Sequence, residues 1–451
     1  MKGGLLNAVR DTVRTQLWPL PVLGATVALI LGMVLPRVDR SVDASLPSWL
    51  RSLLFSGDPG AARTVLDAVS SSLITVTSLT FSLTVVTLQL ASSQFSPRLL
   101  RTFTSDVFVQ ATLGLFLATF TFSLTVLRSV RSSGDAQAVF VPEISVTVSF
   151  VLAVASVIGL VVFLAHLARQ IRVETMLRDV HTDMSATIEA VLAPRDEEHA
   201  DAGPALTPPP YASILFAKSS GFLVRVDENA LIDCSMAHDV LFVIDAHPGA
   251  SLVAGTPIGS LWSPTGALSP QDLEQLHQRI GHGMHIGFER TAAQDVGYGL
   301  RQLTDVVNKA LSPGINDPTT AVHALGHISA VLCELAGRQL GPVRLRDDEG
   351  QVRVLLARPE LADLVDVAIT QPRRYGKADP QVMARLFRLL EELAWHTPTA
   401  DQPVIKAQLN RLDATVEGCD FDATETEQLR HARARVTDAL SQRHGRDRGA
   451  P

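Results

Sequence analysis

The stretch AVSSSLITVTSLTFSLTVVTLQLASSQFSP, Ala68 to Pro97, decides how the rest of the chain is read. No charged residue interrupts it. As a helix it would run ~45 Å at ~1.5 Å per residue, longer than the ~30 Å hydrocarbon core of a bilayer, so it is a candidate membrane span. Hydroxyls crowd it nonetheless, and at about 100° per residue they fall into two stripes on opposite faces. One is mostly serine: Ser71, Thr75, Ser78, Ser82, Gln89, Ser93 and Ser96. The other is all threonine: Thr77, Thr80, Thr84 and Thr87. Leu79, Leu83, Val86 and Leu90 flank them on one side, and Phe81, Val85 and Leu88 on the other.

A helix that faces lipid all round gains nothing from two polar stripes. One explanation is local: each hydroxyl bonds the carbonyl four residues back and lets neighbouring helices come close. The other is that one stripe packs on its own bundle while the second faces water or a symmetry mate.

Outward from this stretch, three more apolar runs read as spans, giving four at about 18–36, 68–92, 107–127 and 144–167. Trp18 stands where an interfacial aromatic would. Gly57, Pro59 and Gly60 mark a turn before the second span, and Pro97 stops or kinks its end. None of the four spans contains Asp, Glu, Lys or Arg. With both termini cytoplasmic, the inner side holds Lys2, Arg10, Arg14, Arg98, Arg101, Arg169, Arg172 and Arg178. The outer side holds Arg37, Arg40, Arg51, Arg63, Arg128 and Arg131, diluted by acids. The expected location is therefore the cell inner (plasma) membrane, multi-pass.

At 451 residues the chain is too long for one ordinary domain, and its mean hydropathy is positive. A net charge of −7 leaves no basic footprint for nucleic acid. The three cysteines, Cys234, Cys333 and Cys419, are scattered downstream without zinc-type spacing, which fits a reduced cytosolic region. The expected organisation is a membrane domain over 1–168, a helical extension over 169–194 continuing the fourth span as one rod, and a linker over 195–210. A small β-barrel-like domain over 211–265 follows, then a mostly α-helical cytoplasmic domain over 266–442 and a disordered tail over 443–451. The expected fold class is thus an α-helical membrane protein followed by that β-plus-helical cytoplasmic region.

Within the soluble part, Thr291 and Gln294 form a T-x-x-Q capping box that predicts a helix from Ala292 to Leu311. Asp317 is a natural N-cap and Pro318 a natural first residue for the next helix, to about Leu335. His277, His282, His285, His323 and His327 resemble metal ligands on paper. His323 and His327 stand i,i+4 on one helix but lack the glutamate of H-E-x-x-H, so they are weak metal candidates and no metal or cofactor is assigned. No phosphate-binding loop, nucleophile elbow or Cys–His signature is present, and no enzymatic activity is expected. Arg373-Arg374-Tyr375-Gly376-Lys377 reads as a solvated basic turn or a contact for acidic headgroups.

Gln94-Phe95-Ser96-Pro97-Arg98 follows the Ser/Thr-rich span. Arg290-Thr291 and Gln294-Asp295 then open the run to Ala310-Leu311-Ser312-Pro313-Gly314-Ile315-Asn316-Asp317-Pro318-Thr319-Thr320-Ala321. In these residues the chain resembles the bacterial predicted membrane protein family catalogued as domain of unknown function 2254. The resemblance covers nearly the whole chain and implies a multi-span inner-membrane protein. It supplies no activity.

Two function classes follow from the residues. The first is an oligomeric channel or transport protein, its path lined by Ser71, Thr75, Ser78, Ser82, Val85, Gln89 and Ser93, with Val85 as the apolar narrow point. Gln94, Arg98 and Arg101 would form its cytoplasmic mouth, and the Arg collar would favour anions. Arg290, Asp295, Asn316, Asp317 and Pro318 mark the motif of the assembly or gating domain. The second class is a membrane-anchored sensor or scaffold that conducts nothing. Expected partners are the lipid bilayer, further copies of the chain and small ions, with no nucleic acid.

Overall fold

A computed structural model describes residues 18–42, 49, 54–94, 106–131, 140–170, 172–195 and 206–449, with side chains described except at 42, 91–94 and 444–449. The chain divides into two compact units between Thr175 and Met176.

The first unit holds four helices long and apolar enough to cross a membrane. They are α1 (Pro19–Val42), α2 (Pro59–Gln94), α3 (Val107–Leu127) and α4 (Glu143–Gln170). Two of them outrun the expected bounds. α1 continues through Pro36, with the Arg37 guanidinium donating to the Met33 carbonyl at 3.0 Å. α2 begins at Pro59 rather than near Ala68, because Asp58 accepts from the Ala61 N–H at 2.8 Å and Pro59 fills a first-turn position that needs no N–H. Pro59 is a helix start, not the turn signal its composition suggested. The centre of the bundle is α3, which packs on α1, α2 and α4. Half of its span is buried, against 22% for α1 and α2 and 17% for α4.

α4 ends at Gln170, Arg172 lies outside regular structure, and α5 (Val173–Val191) is a separate helix. The expected continuous rod is therefore two helices, with Arg172 outside regular structure between them.

The second unit begins within α5 and continues with β1 (Ser213–Phe216), β2 (Gly221–Val226), α6 (Glu228–His238), β3 (Leu241–Ile244), β4 (Ser251–Leu252) and β5 (Pro257–Trp262). Then come α7 (Pro270–Gly283), β6 (Met284–Gly287), α8 (Val296–Ala310), α9 (Pro318–Ala336), β7 (Val343–Arg346) and β8 (Val352–Leu356). Four helices close it: α10 (Leu361–Tyr375), α11 (Pro380–His396), α12 (Gln402–Glu417) and α13 (Ala423–Gly449). The tail expected to be disordered from 443 is helical as far as Gly449.

No closed barrel forms among the described residues. Instead there is an open five-stranded sheet in the order β1-β5-β3-β8-β7 and a three-stranded one in the order β4-β2-β6. β3 runs parallel to β8, pairing Phe242 with Val354 and Ile244 with Leu356. The larger sheet thus recruits two strands from about a hundred residues downstream. Its apolar face is shared by Leu215, Phe242, Ile244, Leu261, Val354 and Leu356, with Leu231 of α6 and Leu276 of α7 in the same core. The helical half is built on α9, which packs on α8 and α11, while α11 packs on α13.

Candidate functional site

The two hydroxyl stripes of α2 part company in the folded bundle. Thr80, Thr84 and Thr87 are buried. Ser71, Thr75, Ser78, Ser82, Val85 and Gln89 are all exposed on the opposite face. The hydroxyls of Thr84 and Thr87 donate to the carbonyls of Thr80 and Leu83, four residues back, at 2.9 Å. On the outer face Ser71 bonds the Asp67 carbonyl at 2.8 Å and Thr75 the Ser71 carbonyl at 3.2 Å. Ser78, Ser82 and Gln89 make no side-chain hydrogen bond among the described residues. Exposed Leu79 and Val86 border this polar strip on one side and Phe81 on the other. The side chains of Ser93 and Gln94, and Arg98 and Arg101 altogether, lie outside the described residues.

Two carboxylates clamp the membrane unit at opposite ends of α4. Asp39, 4% exposed near the end of α1, accepts from the Ile144 N–H at 2.9 Å, the Ser145 N–H at 3.1 Å and the Ser145 hydroxyl at 2.6 Å. It thereby satisfies first-turn donors that a helix cannot satisfy itself. At the other end, Asp106 is the N-cap of α3, accepting from Phe108 N–H at 2.8 Å. Its second oxygen meets His166 Nε2 at 2.6 Å and also accepts from the Gln170 carboxamide. His166 thus has an acidic partner on another helix. The signal was present in the sequence: an Asp directly before an apolar run, and His and Gln spaced i,i+4.

In the second unit, α8 starts four residues later than the T-x-x-Q pattern predicts. Asp295, 3% exposed, is its N-cap through the Gly297 N–H at 3.0 Å, and Arg290 grips both carboxylate oxygens. Gln294 is diverted to strand β2, where it accepts from Val226 N–H at 2.7 Å and donates to Val226 C=O at 3.1 Å, as a neighbouring strand would. Against this cap lies Gly249 with φ +91°, where an added Cβ would fall 2.1 Å from Asp295 Oδ2. Only glycine allows that approach. The Arg290–Asp295 pair is thus a structural clamp that joins a loop, a helix start and an ion pair.

The motif after α8 is a tight exposed turn. Asn316 takes a left-handed φ of 51°, its N–H bonding Ser312 C=O at 2.9 Å, and Asp317 N–H bonds Ala310 C=O at 2.8 Å. Asp317 caps α9, accepting from the Thr320 N–H at 3.0 Å and the Thr320 hydroxyl at 2.6 Å, and Pro318 occupies the first turn. The Thr320 hydroxyl bond holds the Asp317 carboxyl below the usual carboxylate range.

Of the histidines singled out in the sequence, His323 and His327 share α9 but meet neither His277, His282 nor His285. His327 instead meets His181 of α5, with Nδ1 to Nδ1 at 3.4 Å and the rings edge-on at 72°. Burial lowers the proton affinity of His327, and the neighbouring His181 and His323 lower it further. Among the described residues, no three His, Cys, Asp or Glu side chains converge as a ready-made metal site. Burial pushes the Cys333 thiol up to about 11 and raises Cys234, so neither is an activated nucleophile. Arg374, Tyr375 and Lys377 of the basic turn are exposed, while half-buried Arg373 donates to Arg411 C=O at 3.3 Å and to the Thr415 hydroxyl, tying α10 to α12.

Residues 14–392 match the family described as "Predicted membrane protein (DUF2254)". An uncharacterized protein of Mycobacterium bovis is 34% identical over 435 residues, covering 96% of this chain and 82% of its own length. An uncharacterized protein of Mycobacterium tuberculosis gives the same identity and coverage. No solved structure matches significantly.

Proposed function

Since the chain belongs to this family of predicted membrane proteins, we propose that it is an oligomeric inner-membrane protein conducting small ions along the serine-rich face of α2. In this arrangement both termini lie in the cytoplasm, and the soluble unit assembles or gates the ring without catalytic chemistry. One observation carries the proposal: Thr80, Thr84 and Thr87 are buried in the bundle, while Ser71, Thr75, Ser78, Ser82 and Gln89 are exposed, and among the described residues Ser78, Ser82 and Gln89 make no side-chain hydrogen bond. Polar groups without partners are costly against hydrocarbon and favourable against water or another polar surface. The exposed apolar borders Leu79, Val86 and Phe81 offer packing for adjacent copies. Val85, 46% exposed within the strip, is the natural dewetting constriction. Arg98 and Arg101 follow directly in sequence and would ring the cytoplasmic mouth, favouring anions.

Purified protein in planar bilayers under a salt gradient should reverse on the anion side. Replacing Arg98 and Arg101 by Glu should move that potential toward cations. No conductance, or a potential indifferent to the charge swap, leaves the second class: a membrane-anchored sensor or scaffold. That class draws its support from Ser71 and Thr75, whose hydroxyls are satisfied by their own helix.

A further inference from the structure

We propose that His181 and His327 form a binding site for a late first-row divalent metal ion, zinc or copper(II), with His323 as a third donor. The site would fasten α5, the first helix after the last membrane span, to α9.

The geometry of the pair carries the proposal. The two Nδ1 atoms here stand 3.4 Å apart. That separation is the edge of a tetrahedral zinc site, where two ligands at about 2.0–2.1 Å from the metal lie roughly 3.3–3.4 Å from each other. The rings meet edge-on at 72°, with centroids 5.3 Å apart, so the nitrogen edges face one another rather than the ring faces stacking. Both rings are half-buried and neither makes another side-chain hydrogen bond among the described residues, which leaves each Nδ1 lone pair available. His323 is exposed one turn before His327 on the same helix, the i,i+4 spacing that puts two side chains on one face. Water would complete the coordination. Imidazole ligands suit zinc and copper(II) better than magnesium or calcium.

The test uses the full chain in detergent, free of any polyhistidine tag, titrated with Zn²⁺ in competition with a chromophoric chelator and followed in parallel by thermal melting. The expected result is one equivalent bound, with a higher melting midpoint because the ion bridges two helices. His181→Gln and His327→Gln should each weaken binding roughly tenfold or more and abolish the rise in midpoint. His323→Gln should weaken it by less, and the exposed His285→Gln should change nothing. Metal-free melting of each variant separates lost ligation from lost folding, and His181→Gln tests the pair from a different helix if His327→Gln proves unstable. Undetectable binding overturns the proposal, as does Zn²⁺ affinity in His181→Gln equal to that of the unsubstituted protein. A His323→Gln protein that binds as tightly as the unsubstituted one removes His323 from the site.

Discussion

The membrane unit and the second unit join their helices by different means. In the first, α3 approaches α1 closely enough that a Cβ on Gly24 would sit 3.2 Å from the Gly114 carbonyl oxygen, and one on Gly32 would sit 2.8 Å from the Thr125 side chain. Its contacts with α4 include hydroxyl pairs, Ser123 with Ser149 at 2.6 Å and Thr119 with Ser156 at 3.2 Å. In the second, α9 and α11 bring together Leu325, Leu332, Phe387 and Leu390, all 1% exposed or less. The contrast follows from the solvent. Lipid tails are as apolar as leucine, so helices there gain from close approach and shared hydroxyls rather than from apolar burial. In water, burial of apolar area is the dominant favourable term. Helix ends obey the same rule in both units, with Asp39, Asp106, Asp295 and Asp317 each satisfying first-turn N–H groups.

The largest expected effect tests the second unit. Phe387→Ala empties the centre of α11 and should cost about 3–5 kcal/mol. Denaturant unfolding read from the tryptophans would check it, and a loss below about 1 kcal/mol would show that this core is looser than its burial implies.

Next comes a cap in the membrane unit. Asp39→Ala strands two backbone donors and a hydroxyl, and should cost about 2 kcal/mol. The measurement is unfolding in mixed micelles with a rising share of denaturing detergent, and an unshifted midpoint would mean that water replaces the carboxylate.

The matching cap in the second unit, Asp317→Ala, should cost about 1 kcal/mol, being more exposed. Because the folded state lowers the Asp317 pKa, its contribution is full above the unfolded carboxyl value near 3.9 and fades as pH falls through the lower folded value. Asp317→Asn keeps an N-cap that cannot titrate, so the stability gap between it and the unsubstituted chain should narrow on acidification. A gap independent of pH across that window would contradict the assignment. These melts need α5 present, since Ser185 donates to Glu334 at 2.7 Å and Thr187 to Ala292 C=O at 3.2 Å.

The smallest effect sharpens the contrast most. Ser123→Ala removes one partner of a buried hydroxyl pair in the membrane and should cost only about 0.6 kcal/mol. A loss as large as that of Phe387→Ala would erase the distinction between the two units.

The sequence by itself determined the four spans, because long charge-free runs leave helix as the open solution for a backbone that must satisfy its own hydrogen bonds in lipid. It also determined Asp317 as a cap and Pro318 as a helix start, since capping is a contact between residues three apart. The same Asp-Pro pattern at Asp58 and Pro59 carried the same message, obscured by Gly57 and Gly60 on either side. Periodicity separated the two stripes of α2 but could not say which turned inward, because a helix offers both faces equally until neighbours choose. Only the tertiary structure made α3 the centre of the bundle and opened the expected barrel by adding strands 343–346 and 352–356. It alone drew Gln294 from its capping box to Val226 and set His181 against His327 across 146 residues. Each of those outcomes depends on contacts distant in sequence, about which local propensity carries no information.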